Sequence, residues 1–298
     1  MALDVYLHGM TVLSTIHRIS GSLEVDRYGE IAETHLCPGG EAMNAAMLLS
    51  GLGHGTALGG PHWGTETREV LGRYARRYGI DVTGIRLDDG YPGLRDLVLV
   101  DDRHRTVLGW FGRYFSAPEH RWGEPDEGAI SRARIVAVDP FFGATSERAA
   151  RLAAAASRPC VTIDCPYDGP LHATAAATVV SREWRSGRYP GVPDGELLSR
   201  YTSHGPGLTI FTSGVEPIRF GRRGGPVGTF DPFRVEVRST LGAGDTFRAG
   251  VVHGVLQGLE DRESVRFASG LAALVCTRLP IADNVPSLAE VEAFLRSR

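Results

Sequence analysis

Short apolar runs alternate with polar turns over the first part of the chain, and a strand–helix rhythm takes over later. Asp4-Val5-Tyr6-Leu7 predicts a first strand ending near Gly9. Residues Ser22 to Leu36 alternate around Arg27-Tyr28-Gly29-Glu30, which predicts a hairpin. Glu41 to Leu52 and Thr65 to Tyr78 carry the helical period, the second closing at Gly79. Leu94 to Val100 and Thr106 to Phe111 alternate around Asp101-Asp102-Arg103-His104, a second hairpin. From Arg134 onward the chain reads strand (Ile135–Val138), helix (Glu147–Ala156), strand (Cys160–Asp164), a short helix, and strands at Thr178–Val180 and Leu208–Thr212. Such alternation implies parallel strands flanked by helices. Ser287 and Glu290 form a capping box after Pro286, opening a last helix through Leu295. One α/β sheet domain with a small β flap built from the two early hairpins is expected.

The richest stretch is Ser239-Thr240-Leu241-Gly242-Ala243-Gly244-Asp245-Thr246-Phe247. The run Phe233-Arg234-Val235-Glu236-Val237 before it reads as a strand, and the run after it has a helical period. Helix N-termini leave backbone N–H groups unpaired and partly positive, so they bind anions, and glycines let a bulky anion approach. An Asp in that place either caps the helix or handles a proton beside the anion. The combination points to phosphoryl transfer to a hydroxyl. A dinucleotide fingerprint is disfavoured, because the position of its third glycine is Phe247.

Composition narrows the field. The chain has 298 residues, 42% of them hydrophobic and 22% charged, ordinary for a globular protein. A net charge of −3 argues against a nucleic-acid or anionic-membrane surface. No apolar run approaches the ~18 residues of a membrane span, and the first residues lack a signal-peptide layout, so a cytoplasmic location is expected. Cys37, Cys160, Cys165 and Cys276 form no metal-binding pattern and read as reduced structural thiols, and the histidines show no metal spacing. There is no lysine; all 32 basic residues are arginine. That excludes a Walker A lysine, a Schiff base and a protein-kinase strand lysine. Phosphate handling would fall to backbone amides, arginine and metal.

Four stretches together resemble the ribokinase-like (PfkB) family of carbohydrate kinases. Gly39-Gly40-Glu41-Ala42-Met43-Asn44 looks like the family's di-glycine signature, and Gly60 through Gly64 with Glu66 like its next glycine segment. Thr212-Ser213-Gly214 looks like its nucleotide-side Thr-x-Gly, and Gly242-Ala243-Gly244-Asp245 like its anion hole and base. The resemblance implies one domain over residues 1–298, an α/β fold with a three-layer α/β/α arrangement. Its central sheet would be mostly parallel, under a β lid at approximately 11–37 and 91–115.

The same resemblance implies an ATP-dependent kinase that phosphorylates a hydroxymethyl group of a sugar, sugar acid or related polyol. Asp245 would be the base, and the amides of Gly242, Ala243 and Gly244 the anion hole. Gly39, Gly40, Asn44, Ser14 and Arg105 would face the substrate, and Thr212, Gly214 and Thr240 the nucleotide. Asn44 also reads as a helix cap, and Arg105 as a solvated turn residue. Trp110, Phe111, Tyr114 and Phe115 read as a hydrophobic lid or dimer contact ahead of base stacking; Arg113 carries no motif. The lid implies a homodimer, with no nucleic-acid or membrane partner.

Three departures matter. Ser14 stands where the family has a sugar-binding Asp, and a serine lacks the charge-assisted acceptor pair of a carboxylate. Ser239 replaces an Asp that helps hold a monovalent cation, so that requirement does not carry over. Ser181-Arg182-Glu183-Trp184 replaces the family's Asn-x-x-Glu; Glu183 either serves the magnesium or lies on a surface beside a capping Ser181. Magnesium is expected with the triphosphate. The alternatives are a nucleoside kinase, and a catalytically weak sensor of sugar or nucleotide.

Overall fold

Strands whose every residue is buried belong in a sheet covered on both faces. Four four-residue strands here have that pattern, and they form the middle and one edge of the main sheet. The computed structural model describes residues 2–101 and 104–298, so Asp102 and Arg103 of the expected turn lie outside the described residues.

The chain runs β1 (Val5–His8), β2 (Val12–Ile19), β3 (Ile31–Gly39), α1 (Glu41–Gly51), β4 (Thr56–Gly59), β5 (Trp63–Gly64) and α2 (Arg68–Tyr78). Next come β6 (Leu87–Asp88), β7 (Arg95–Val100), β8 (Arg105–Gly109), α3 (Phe111–Ser116), α4 (Glu127–Arg132), β9 (Ile135–Val138) and α5 (Ala144–Ala155). The order continues with β10 (Cys160–Ile163), α6 (Pro170–Thr174), β11 (Ala177–Ser181), α7 (Arg182–Arg188), α8 (Asp194–His204) and β12 (Leu208–Ser213). Strands β13 (Glu216–Gly221) and β14 (Gly228–Phe230) precede α9 (Ala243–Gln257), α10 (Asp261–Cys276) and α11 (Leu288–Arg296).

The eight-stranded sheet has the order β14-β13-β12-β11-β10-β9-β1-β4. It is parallel from β4 to β12 and antiparallel where β13 meets its two neighbours. Successive side chains point to opposite faces, so Val5 and Leu7 pack among α1, α9 and α10 while Tyr6 packs against α4 and α5. The result is the expected three-layer α/β/α arrangement. Ser287 and Glu290 make the capping box of α11.

A second sheet, ordered β3-β2-β7-β8, is the lid. Its two antiparallel hairpins are joined by parallel pairing of β2 with β7. Three expectations are corrected. The first hairpin uses Val12–Ile19 and Ile31–Gly39, not residues 22–36; the exposed residues 20–30 form its connection, with Asp26 at φ 60°. The second hairpin ends at Gly109, and Phe111 opens a helix instead of closing a strand. Residues 233–237 alternate in polarity but join no strand. The chain there runs to the end of α10, where the Arg238 and Ser239 amides donate to the Cys276 carbonyl at 2.8 and 3.1 Å.

Candidate active site

Helix α9 begins at the motif singled out in the sequence. Its N-cap, Gly242, has φ 70°, and a Cβ there would lie 2.5 Å from Ile281 Cδ1. Glycine is what that left-handed entry accepts. The Ala243 amide donates to the Thr240 carbonyl at 3.2 Å, whereas no acceptor among the described residues takes the amides of Gly242, Gly244 or Asp245. These are the unpaired N–H groups a helix N-terminus leaves.

Asp245 makes no capping bond. Its Oδ2 accepts from Asn44 Nδ2 at 2.9 Å, across 201 residues of sequence. Gly40, at φ 89°, is the N-cap of α1, so the capping reading of Asn44 is corrected: the residue lies one turn inside the helix. Burial raises the pKa of Asp245 above the ordinary carboxylate value, opposed by the Asn44 hydrogen bond and by Arg248. Glu41 is pushed well above the ordinary carboxylate range by burial and by the neighbouring Asp245 and Asp139.

Beneath this pair sits a buried support that sequence reasoning missed. Arg248, one turn along α9, pairs with Asp139 at the end of β9; the two are 0% and 1% exposed. The other Asp139 oxygen accepts the Met10 amide at 2.7 Å. Met10 in turn gives its carbonyl to the amides of Ala42 and Met43 at the start of α1. The link between β1 and β2, the head of α1 and the head of α9 are thus locked together. Nothing local in the sequence joins Asp139 to Arg248, 109 residues away.

A cavity of about 570 Å³ opens between this assembly and the lid. It is bordered by Gly39, Gly40, Asn44, Ser14, Arg105, Glu183, Gly242, Gly244 and Asp245. It also reaches Asp96 and Asp164, which the sequence did not single out. Burial lifts both carboxyls to about 6. The two Asp164 oxygens accept from the Ser181 amide and hydroxyl at 2.7 and 2.9 Å. Ser181 also caps α7, accepting from the Trp184 amide at 3.1 Å.

Glu183 extends from the first turn of α7 and faces Arg105 of β8 at 3.9 Å. Among the described residues no cluster of His, Cys, Asp and Glu is arranged to hold a metal by itself. Thr212, Gly214 and Thr240 do not border the cavity; Thr212 pairs with Ser181 along the sheet, and Gly214 turns the chain after β12 at φ 65°. Ser239 spends its hydroxyl on the Leu241 amide at 3.1 Å. Of the lid aromatics, Phe111 and Phe115 border the cavity, Tyr114 is buried, and Trp110 is exposed beneath the Arg95 guanidinium.

Comparison with known proteins agrees with this architecture. Residues 191–287 match the model of the pfkB family carbohydrate kinases. A 5-dehydro-2-deoxygluconokinase of Bacillus anthracis is 28% identical over 104 residues, which are 35% of this chain and 31% of that protein. The match thus spans about a third of the relative's length. The Arabidopsis thaliana ribokinase, solved with ribose and ATP, superposes with a TM-score of 0.81 at 17% identity over 99% of both chains. The adenosine kinase of Sinorhizobium meliloti does so with a TM-score of 0.79 at 18% identity, over 100% of this chain and 99% of that one.

Proposed function

We propose that the chain is a ribokinase-like PfkB kinase that transfers the γ-phosphoryl group of ATP to a hydroxymethyl group of a sugar, sugar acid or related polyol. One observation carries the reading: Asp245, held by Asn44, stands at the cavity wall beside the unpaired amides that open α9. Asp245 takes the proton of the acceptor hydroxyl as its oxygen attacks phosphorus. The amides of Gly242 and Gly244 hold the phosphoryl oxygens while charge moves onto the leaving ADP. Such transfer depends on positioning and charge neutralisation, so a site without lysine suffices.

Magnesium would arrive with the triphosphate and shield its charge. It keeps most of its water and needs one or two carboxylates, and Glu183, whose side chain is 89% exposed at the cavity rim, fits that need. Thr212, Gly214 and Thr240 stand outside the cavity toward the nucleotide side in this reading. A nucleoside acceptor is the second reading, favoured by Phe111, Phe115, Phe141 and Trp184 on the cavity wall. The lid would also seat a second copy of the chain, since Ile31, Leu36 and Leu108 are 51%, 49% and 51% exposed. A dimer in sedimentation velocity, reduced to monomer by Leu36→Glu, supports that contact; a wild-type monomer rules it out.

The deciding experiment measures ADP release with ATP, magnesium and D-ribose, 5-dehydro-2-deoxygluconate or adenosine. Turnover stimulated by one of them, and abolished in Asp245→Asn, supports the kinase. Stimulated turnover that survives this substitution unchanged removes Asp245 from the chemistry.

A further inference from the structure

The lid supplies a carboxylate that this chemistry leaves unused. Residues of β7 alternate in burial, and Asp96, Val98 and Val100 share the buried face. Parallel pairing with β2 sets Asp96 beside Ser14 and Val98 beside Ile16. Around them the cavity-facing surface of the lid is apolar, with Val12, Ile16, Val98 and Val107 on it. Asp96 is 8% exposed. Ser14 hydrogen-bonds to it, yet Asp96 Oδ1 has no partner, and no ion pair reaches it among the described residues. An ionised carboxylate only accepts hydrogen bonds, and burying one without donors is costly. Burial lifts its acid form only to about 6, so it is charged at neutral pH. A buried charge without a partner on a cavity wall is what a ligand's donors would satisfy.

The surrounding charge selects the kind of donor. Asp164, Glu183 and Asp245 border the same cavity, and the one arginine among its described lining residues, Arg105, already faces Glu183. An anion placed against Asp96 would meet repulsion from Asp96 itself without a basic side chain to offset it. A hydroxyl would find one acceptor in Asp96 Oδ1 and a second polar group in Ser14.

We propose that Asp96, assisted by Ser14, determines acceptor specificity: its free oxygen takes hydroxyl donors of a neutral polyol and turns away acceptors with a carboxylate or phosphate at that end of the cavity. The proposal rests on the kinase reading for what happens to the acceptor, but not for its binding.

The test uses the full chain with D-ribose, adenosine and 5-dehydro-2-deoxygluconate, in ADP-release kinetics and in isothermal titration without ATP. Wild-type protein is expected to prefer ribose or adenosine to the carboxylate by about tenfold or more in kcat/KM. Asp96→Asn should raise the neutral acceptor's KM about tenfold, the worth of one charge-assisted hydrogen bond, with the KM for ATP unchanged. It should also raise the thermal midpoint at pH 7, because an unpaired buried charge is gone. A merely structural Asp96 would show a lowered midpoint with the acceptor KM unmoved. Preference for 5-dehydro-2-deoxygluconate, or an unchanged acceptor KM in the variant, overturns the proposal. Ribose or adenosine binding weakened by the substitution, without any turnover, sinks the kinase and keeps this site. No binding of either neutral probe sinks the site.

Discussion

Asp245 and Asp96 border one cavity with opposite surroundings. Asp245 has an amide donor from Asn44 and the charge of Arg248 nearby, so its ionised form is supported in spite of burial. Removing its basicity while keeping its shape, as Asp245→Asn does, should lower kcat by roughly 10²–10⁴-fold, the usual worth of general acid–base help. The circular dichroism spectrum should stay native, since the residue makes no capping bond. Asp96 has only a serine. Its acid form is lifted from 3.8 to about 6, so at pH 7 the folded chain holds a charge it would prefer to neutralise. Asp96→Asn should therefore stabilise the protein at pH 7 by up to about 3 kcal/mol, at 1.36 kcal/mol per unit. Urea unfolding at pH 7 checks the sign. Asp245 announced itself in the sequence because its glycines are neighbours along the chain. Asp96 did not, because its meaning comes from a strand pairing with Ser14, 82 residues earlier, that no local pattern encodes.

Among the elements, α9 shows how a turn residue reaches the chemistry. Gly242 must hold φ 70°, and a Cβ there would crowd Ile281 Cδ1 at 2.5 Å and Asn44 Nδ2 at 3.3 Å. Gly242→Ala is expected to destabilise the fold by about 1–3 kcal/mol, the usual strain of a left-handed non-glycine residue. It should also lower kcat beyond what unfolding explains, by displacing Asn44. Chemical denaturation and kinetics on the same sample separate the two effects. The buried strands β1, β9 and β10 were legible from apolar runs alone, as were α1, α2 and the capping box of α11. Residues 233–237 misled for a physical reason: alternation marks a half-buried ribbon, but a strand also needs a free sheet edge. Here the flanking amides go to the end of α10, and Phe233 stacks edge-on against Phe230 and Phe294.

Over the whole molecule, acid stability follows from which buried groups resist protonation. Burial depresses His8 and His253 to about 4, so below pH 6.5 the unfolded chain takes up protons that the folded chain refuses. Stability due to these residues is complete above the unfolded value and is lost as pH falls toward 4. Asp96 and Asp164 work in the other direction: below about pH 6 the folded chain binds protons that the unfolded chain releases until 3.8. Urea midpoints between pH 7 and pH 4.5 should therefore fall more steeply in Asp96→Asn than in wild type. Parallel midpoints in the two proteins would contradict this balance. The layered architecture was readable from the strand–helix rhythm, whereas the joining of both hairpins into one lid was not. That joining depends on β2 and β7, which are neighbours only in space.

The lock that runs from Arg248 through Asp139 and Met10 to the head of α1 has an evolutionary corollary. Asn44 and Asp245 sit on the floor of the cavity, whereas Ser14, Asp96 and Val98 hang from its roof. Under the proposed roles, acceptor choice and phosphoryl transfer belong to separate parts. Mutational libraries confined to the roof would retune which alcohol is accepted while leaving the transfer machinery untouched.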